Sequence, residues 1–140
     1  MNFEIQNDTK ATLENGFYKI TRTWKTGDVI KVKFNNEVKA TTFANREIYF
    51  QRGALVYALD IPYRRENIKD YSLAGFHDYH CHSESEVYKN LSLNKDNLAF
   101  QFTNGKLKGQ VSDTEKKESI DVELVPMGKT VLRRITFPTL

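Results

Sequence analysis

Side-chain alternation with a period of two runs through most of this sequence. Tyr18, Ile20, Arg22 and Trp24 fall on one side of an extended chain, and Phe17, Lys19, Thr21 and Thr23 on the other. Ile30, Val32 and Phe34 alternate with Lys31 and Lys33, and Ile48 and Phe50 with Glu47, Tyr49 and Gln51. Leu98, Phe100 and Phe102 alternate with Ala99 and Gln101, and Ile120, Val122 and Leu124 with Asp121 and Glu123. Successive strand side chains point to opposite faces, so each stretch can cover a core on one side and meet solvent on the other. Trp24, in phase with Ile20, is expected in the core.

Turn residues separate these runs. Lys25-Thr26-Gly27-Asp28 divides the first two, and Asn35-Asn36 lies where a hairpin can close before Val38. Thr103-Asn104-Gly105-Lys106 contains Asn-Gly, whose residues accept the left-handed conformations of a two-residue hairpin turn. Gly53 marks a bend before Ala54–Leu59, a six-residue run apolar throughout. That run reads as a central strand, with a short buried helix as the alternative. Ser112–Ser119 is charged and reads as an exposed loop. Pro62–Glu86 is polar and aromatic and reads as a long irregular segment, a length at which connections are usually functional or structured in themselves. The expected fold class is all-β: a jelly-roll-like antiparallel β-sandwich forming a single domain over residues 1–140.

Composition narrows the function classes. One Cys in 140 residues leaves no internal disulfide. Lys and Arg exceed Asp and Glu by only 21 to 18, and the basic residues are dispersed, so no nucleic-acid partner is expected. The longest apolar run is far short of a membrane span, and MNFEIQNDTK has no signal-peptide pattern.

The densest chemistry is His77-Asp78-Tyr79-His80-Cys81-His82, followed by Glu84 and Glu86. On a strand, His80 and His82 share a face with Asp78 and Glu84, which makes His80, His82 and Glu84 the candidate metal ligands. A structural zinc site takes about four ligands, normally from separated segments, and no other His or Cys exists to complete one. The plain alternative is a polar strand with hydrogen-bonded histidines, so no cofactor is expected. Cys81 lacks a base on its own face and reads as a small buried thiol. Glu84 with Glu86, and Asp121 with Glu123, are carboxylate pairs at i, i+2, spaced like surface residues. Tyr63, Tyr71 and Tyr79 are the candidates for a sugar-stacking surface.

Four stretches go beyond this reading. They are Asn15-Gly16-Phe17-Tyr18 through Arg22-Thr23-Trp24-Lys25-Thr26-Gly27-Asp28, Gln51-Arg52-Gly53-Ala54-Leu55-Val56-Tyr57-Ala58-Leu59, Val122-Glu123-Leu124-Val125-Pro126-Met127-Gly128 and Leu132-Arg133-Arg134-Ile135-Thr136-Phe137-Pro138. In order and spacing they resemble the C-terminal β-sandwich region of β-L-arabinofuranosidase-like proteins, glycoside hydrolase family 127 and its relatives. Ala54 stands where the family usually has Pro, and Met127 where it has Tyr. The likeness covers about residues 15–61 and 120–138 and leaves out the histidine-rich segment. It implies a non-catalytic accessory domain that packs against a catalytic (α/α) barrel or mediates oligomerisation. The Cys nucleophile, Glu acid/base and Cys-rich zinc site would belong to that barrel, and Cys81 matches no catalytic motif. The resemblance further implies a sandwich truncated at its N-terminus, a homodimer through exposed sheet edges, a plant-type arabinose-containing glycan and a periplasmic or secreted parent. A free-standing carbohydrate-binding module, and a small metal-dependent protein built on His77–His82, stay open as alternatives.

Overall fold

The computed structural model describes residues 2–6 and 10–140. The described residues form antiparallel strands joined by tight turns and three short 3-10 turns, as an all-β fold requires. The chain divides into two compact units, Met1–Glu37 and Val38–Leu140.

In the first unit β1 (Asn2–Gln6) pairs with β4 (Lys31–Asn35), placing Phe3 opposite Phe34 and Ile5 opposite Val32. β2 (Ala11–Glu14) and β3 (Phe17–Ile20) form a hairpin closed by Asn15 and Gly16, at φ 51° and 82°. Two successive left-handed residues are what the right-handed twist of a two-residue hairpin demands. The strand ends at Ile20, so the alternation as far as Trp24 does not translate into pairing. The Lys25–Asp28 turn forms as expected, with the Asp28 amide donating to the Lys25 carbonyl at 3.0 Å. The Asp28 carboxylate accepts from the Lys25 amide and pairs with Arg22 at 3.1 Å. Asn35-Asn36 closes no hairpin, because β4 turns to β1 and the next strand pairs elsewhere.

The second unit contains β5 (Val38–Thr42), β6 (Glu47–Arg52), β7 (Leu55–Asp60), β8 (Tyr63–Asp70), β9 (His77–Ser83) and β10 (Leu91–Ser92). It continues with β11 (Gln101–Thr103), β12 (Lys106–Asp113), β13 (Glu118–Pro126), β14 (Arg133–Arg134) and β15 (Phe137–Pro138). All but β8 and β9 join one strongly curled sheet, ordered β10-β12-β13-β7-β6-β15 along its main path. That path returns on itself: Leu93, just beyond β10, donates to the Pro138 carbonyl at 2.8 Å and accepts from the Leu140 amide at 3.0 Å. Facing parts of the curled sheet thus supply both layers around the core. β6 and β7 are joined by the Gly53-Ala54 turn, with Gly53 at φ 60°, and β11 and β12 by Asn104-Gly105, at φ 50° and 82°. β6 and β7 then splay apart. The chain from Arg133 to Pro138 fills the fork, β14 on β7 and β15 on β6.

Alternation places one side of each strand in the core: Ile48 and Phe50 from β6, Tyr57 from β7, Leu107 and Val111 from β12, Leu124 from β13 and Phe137 from β15. Leu91, Leu93 and Phe100 complete it. Each such side chain contributes roughly 1.5–3 kcal/mol on leaving water. β7 lies between β6 and β13, as expected of the apolar run, although only Tyr57 and Ala58 in it are fully buried. The Ser112–Ser119 segment is half pairing and half an exposed turn at residues 114–117. Ser112 and Asp113 pair with Ser119 and Glu118, and the buried Asp113 carboxylate accepts from the Glu115 and Lys116 amides at 2.9 and 3.1 Å. Trp24, expected in the core, is 54% exposed beneath the Arg22 guanidinium.

Candidate functional site

The segment expected to be irregular is a hairpin. β8 and β9 pair from Tyr63 opposite Ser83 to Asp70 opposite His77, with an irregularity between Asn67 and Lys69. The Asn67 side-chain oxygen fills that irregularity by accepting from the Lys69 amide at 3.1 Å. The turn uses Gly75 at φ 84°, which no side chain would adopt without strain. At the base, the Glu84 amide donates to the Pro62 carbonyl at 2.9 Å.

All three histidines lie on this hairpin, each facing a neighbour set by the register. His80 and His82 share one face with Glu66 and Arg64, which sit opposite them. His82 Nε2 lies 2.7 Å from Glu66 Oε2, and the His80 ring stands edge-on to His82 at 6.0 Å. His77, on the other face, has Nδ1 2.5 Å from Asp70 Oδ1. The Asn67 amide, donating at 2.6 Å, and then His77 hold the Asp70 carboxyl below its ordinary range. The shared face expected for His80 and His82 is therefore present, and on it Glu66 engages His82 Nε2. Glu84 lies past the end of β9. Among the described residues no group of three or more His, Cys, Asp or Glu is placed to hold a metal ion.

The three candidate tyrosines part company. Arg65 lies between Tyr63 and Tyr79, its guanidinium carbon 5.6 and 5.7 Å from their ring centres. It also donates to the Tyr63 hydroxyl at 3.0 Å, a bond that raises its already high pKa. Tyr71 turns to the opposite face and donates to Asp78 at 2.7 Å, which holds its hydroxyl pKa above the usual value. A single stacking platform of three rings is not formed; a Tyr63–Arg65–Tyr79 ladder is. Cys81 sits opposite Arg65, half-buried, on the face away from His80 and His82. No thiol–imidazole pair results. Arg65 and Glu66 were not among the sequence candidates. Their signal, a carboxylate for His82 and a guanidinium between Tyr63 and Tyr79, becomes informative only once the register is known.

Open clefts lie on the curled sheet. The first, of about 480 Å³, is lined by Gln101, Lys108, Gln110, Asp121 and Glu123 on the outer faces of β11–β13. Gln110 donates to Asp121 at 2.9 Å, while Lys106 and Lys108 pair with Glu123 at 2.5 and 2.8 Å and push its carboxyl down to about 2. Glycoside hydrolysis by two carboxylates needs one held protonated near neutrality. Glu123 is driven the other way, which does not suit it to act as the general acid. Of the other pair, Glu86 bonds Lys89. The second cleft, of about 640 Å³, lies over the β6–β7 fork and is lined by Phe43, Glu47, Tyr49, Val56, Arg134 and Ile135. The Arg134 guanidinium is spent on the Tyr88 and Thr136 carbonyls, and burial lowers its pKa.

No protein-family model, curated protein or solved structure matches this chain. The fold defines the class, an all-β antiparallel protein with a curled principal sheet and a separate solvent-exposed hairpin. Among the described residues no helix is long and apolar enough to cross a membrane.

Proposed function

We propose that this chain is the non-catalytic β-sandwich module of an arabinofuranosidase-like glycoside hydrolase, and that it packs against its parent's helical catalytic barrel. One observation carries the reading beyond the sequence resemblance. Residues 10–34 include no buried residue, yet Leu13, Phe17, Trp24 and Val32 are large, apolar and half or more exposed or close to it. A two-stranded hairpin such as β2–β3 is marginal on its own in water. Apolar side chains exposed in this number, on both faces of the β2–β3 hairpin, support a surface that another protein covers.

Trp24 is the sole tryptophan, so its emission reports on that surface. Titrating the chain with the helical barrel of an arabinofuranosidase-like enzyme that lacks its own sandwich should shift Trp24 emission to the blue. It should also give a one-to-one complex in sedimentation. Absence of both, or hydrolysis of an arabinoside by the chain alone, overturns the proposal. A second reading, a free-standing carbohydrate-binding module, rests on the Tyr63–Arg65–Tyr79 ladder. Calorimetric titration with arabinose-containing oligosaccharides tests it, with heat lost on Tyr79→Ala as the supporting result.

A further inference from the structure

The hairpin gains little from the rest of its unit. Residues 64–80 are exposed without interruption, and β8 and β9 form a two-stranded sheet whose outer edges are unpaired among the described residues. A strand with free backbone groups along one edge is a template for another strand.

The two edges differ. β8 carries Arg64, Arg65 and Lys69 and is broken by the irregularity at Asn67–Lys69. Charged edge residues and bulges are the devices that keep an edge from pairing. β9, His77-Asp78-Tyr79-His80-Cys81-His82-Ser83, has no Lys, Arg or Pro. It is also complementary to itself. Laid antiparallel on a second copy with His80 opposite the partner's His80, Asp78 meets the partner's His82 and Tyr79 meets the partner's Cys81. The two-fold axis repeats each contact. On one face a carboxylate then opposes an imidazole, and on the other an aromatic ring opposes a thiol, both favourable cross-strand pairings. The hairpin's three cationic side chains, Arg64, Arg65 and Lys69, are matched by Glu66, Asp70 and Asp78, so no net charge opposes the approach of two copies.

We infer that β9 pairs antiparallel with β9 of a second copy of this chain, centred on His80, to make a four-stranded sheet across a two-fold axis. The inference uses residues other than those that carry the proposed function, so either can fail alone. A seven-residue strand pair lies at the small end of protein interfaces, which places dimerisation on the order of micromolar.

Sedimentation velocity of the full chain across the micromolar range at neutral pH tests this. The expected result is a monomer–dimer equilibrium. His82→Asp, which sets two carboxylates against each other at both symmetric contacts, should weaken it about tenfold. Asp78→Lys should weaken it as well, and the double variant Asp78→Lys/His82→Asp should restore it to near the parent constant. Glu66→Gln removes the His82 partner within the hairpin and should leave dimerisation unchanged, separating the interface from hairpin integrity. A chain that stays monomeric throughout overturns the inference. So does a dimer indifferent to His82→Asp, or a double variant as dissociated as the singles.

Discussion

Gly109 in β12 faces the core beneath Phe100, and Gly109→Ala tests how tightly that core is built. A Cβ at this position would lie 2.7 Å from Cγ, Cδ1 and Cδ2 of the Phe100 ring. Carbon atoms rest about 3.5–4.0 Å apart, so the ring must retreat by roughly 0.8 Å. It cannot retreat freely. Phe100 is 7% exposed, and its ring packs on Phe50 with centroids 4.1 Å apart. The backbone at Gly109 is not left-handed, so alanine brings no conformational strain and the whole cost is steric. Overpacking of this kind costs about 1–3 kcal/mol. For a chain of this length that lowers Tm by roughly 5–10 °C. Urea unfolding followed by far-UV circular dichroism should show a lower midpoint with an unchanged slope. Phe100→Leu alone should destabilise by about 1–2 kcal/mol through the space it leaves. The double variant should cost less than the two singles together, because the smaller side chain makes room for the new methyl. A Gly109→Ala protein within ~0.3 kcal/mol of the parent, or strict additivity in the double variant, would refute the reasoning.

Lys117 closes the β12–β13 turn in the left-handed region, at φ 56°, with its amide bonded to the Asp113 carbonyl at 2.9 Å. Lys117→Gly removes the Cβ penalty but adds freedom to the unfolded chain, for a net gain of about 0.5–1 kcal/mol, and a calorimetric Tm below the parent's would count against it. Glu123 has its pKa depressed from 4.5 to about 2 by Lys106 and Lys108, so it favours the folded state above pH 4.5. That contribution fades as pH falls from 4.5 toward 2, where protonation breaks both ion pairs. The Tm of Glu123→Gln should therefore decline less steeply than the parent's across that window, and parallel profiles would exclude the assignment.

The strands most legible in the sequence are those whose alternation is answered by burial. Ile48 with Phe50, and Leu124, enter the core on the faces their spacing prescribes, and Asn104-Gly105 makes the turn its chemistry favours. The hairpin at Tyr63–Ser83 was illegible for the complementary reason. Both its faces meet solvent, so no apolar period marks it. What aligns its strands is partners sixteen and seven residues apart, Glu66 with His82 and Asp70 with His77, and spacings of that kind carry no period. Asp113 shows the same limit on a smaller scale: within a charged run, nothing distinguishes the one carboxylate that folds back onto its own turn.

Residues 10–34 show the converse. Their alternation is as regular as that of the core strands, yet Trp24 is 54% exposed and Val32 46%. Alternation specifies that a face should leave water, not which surface receives it. Where the pattern is strong and burial within the unit does not follow, the proposed cover by another protein would supply the missing surface. For this reason the candidate interface was readable in the sequence only as a core that the fold then failed to close.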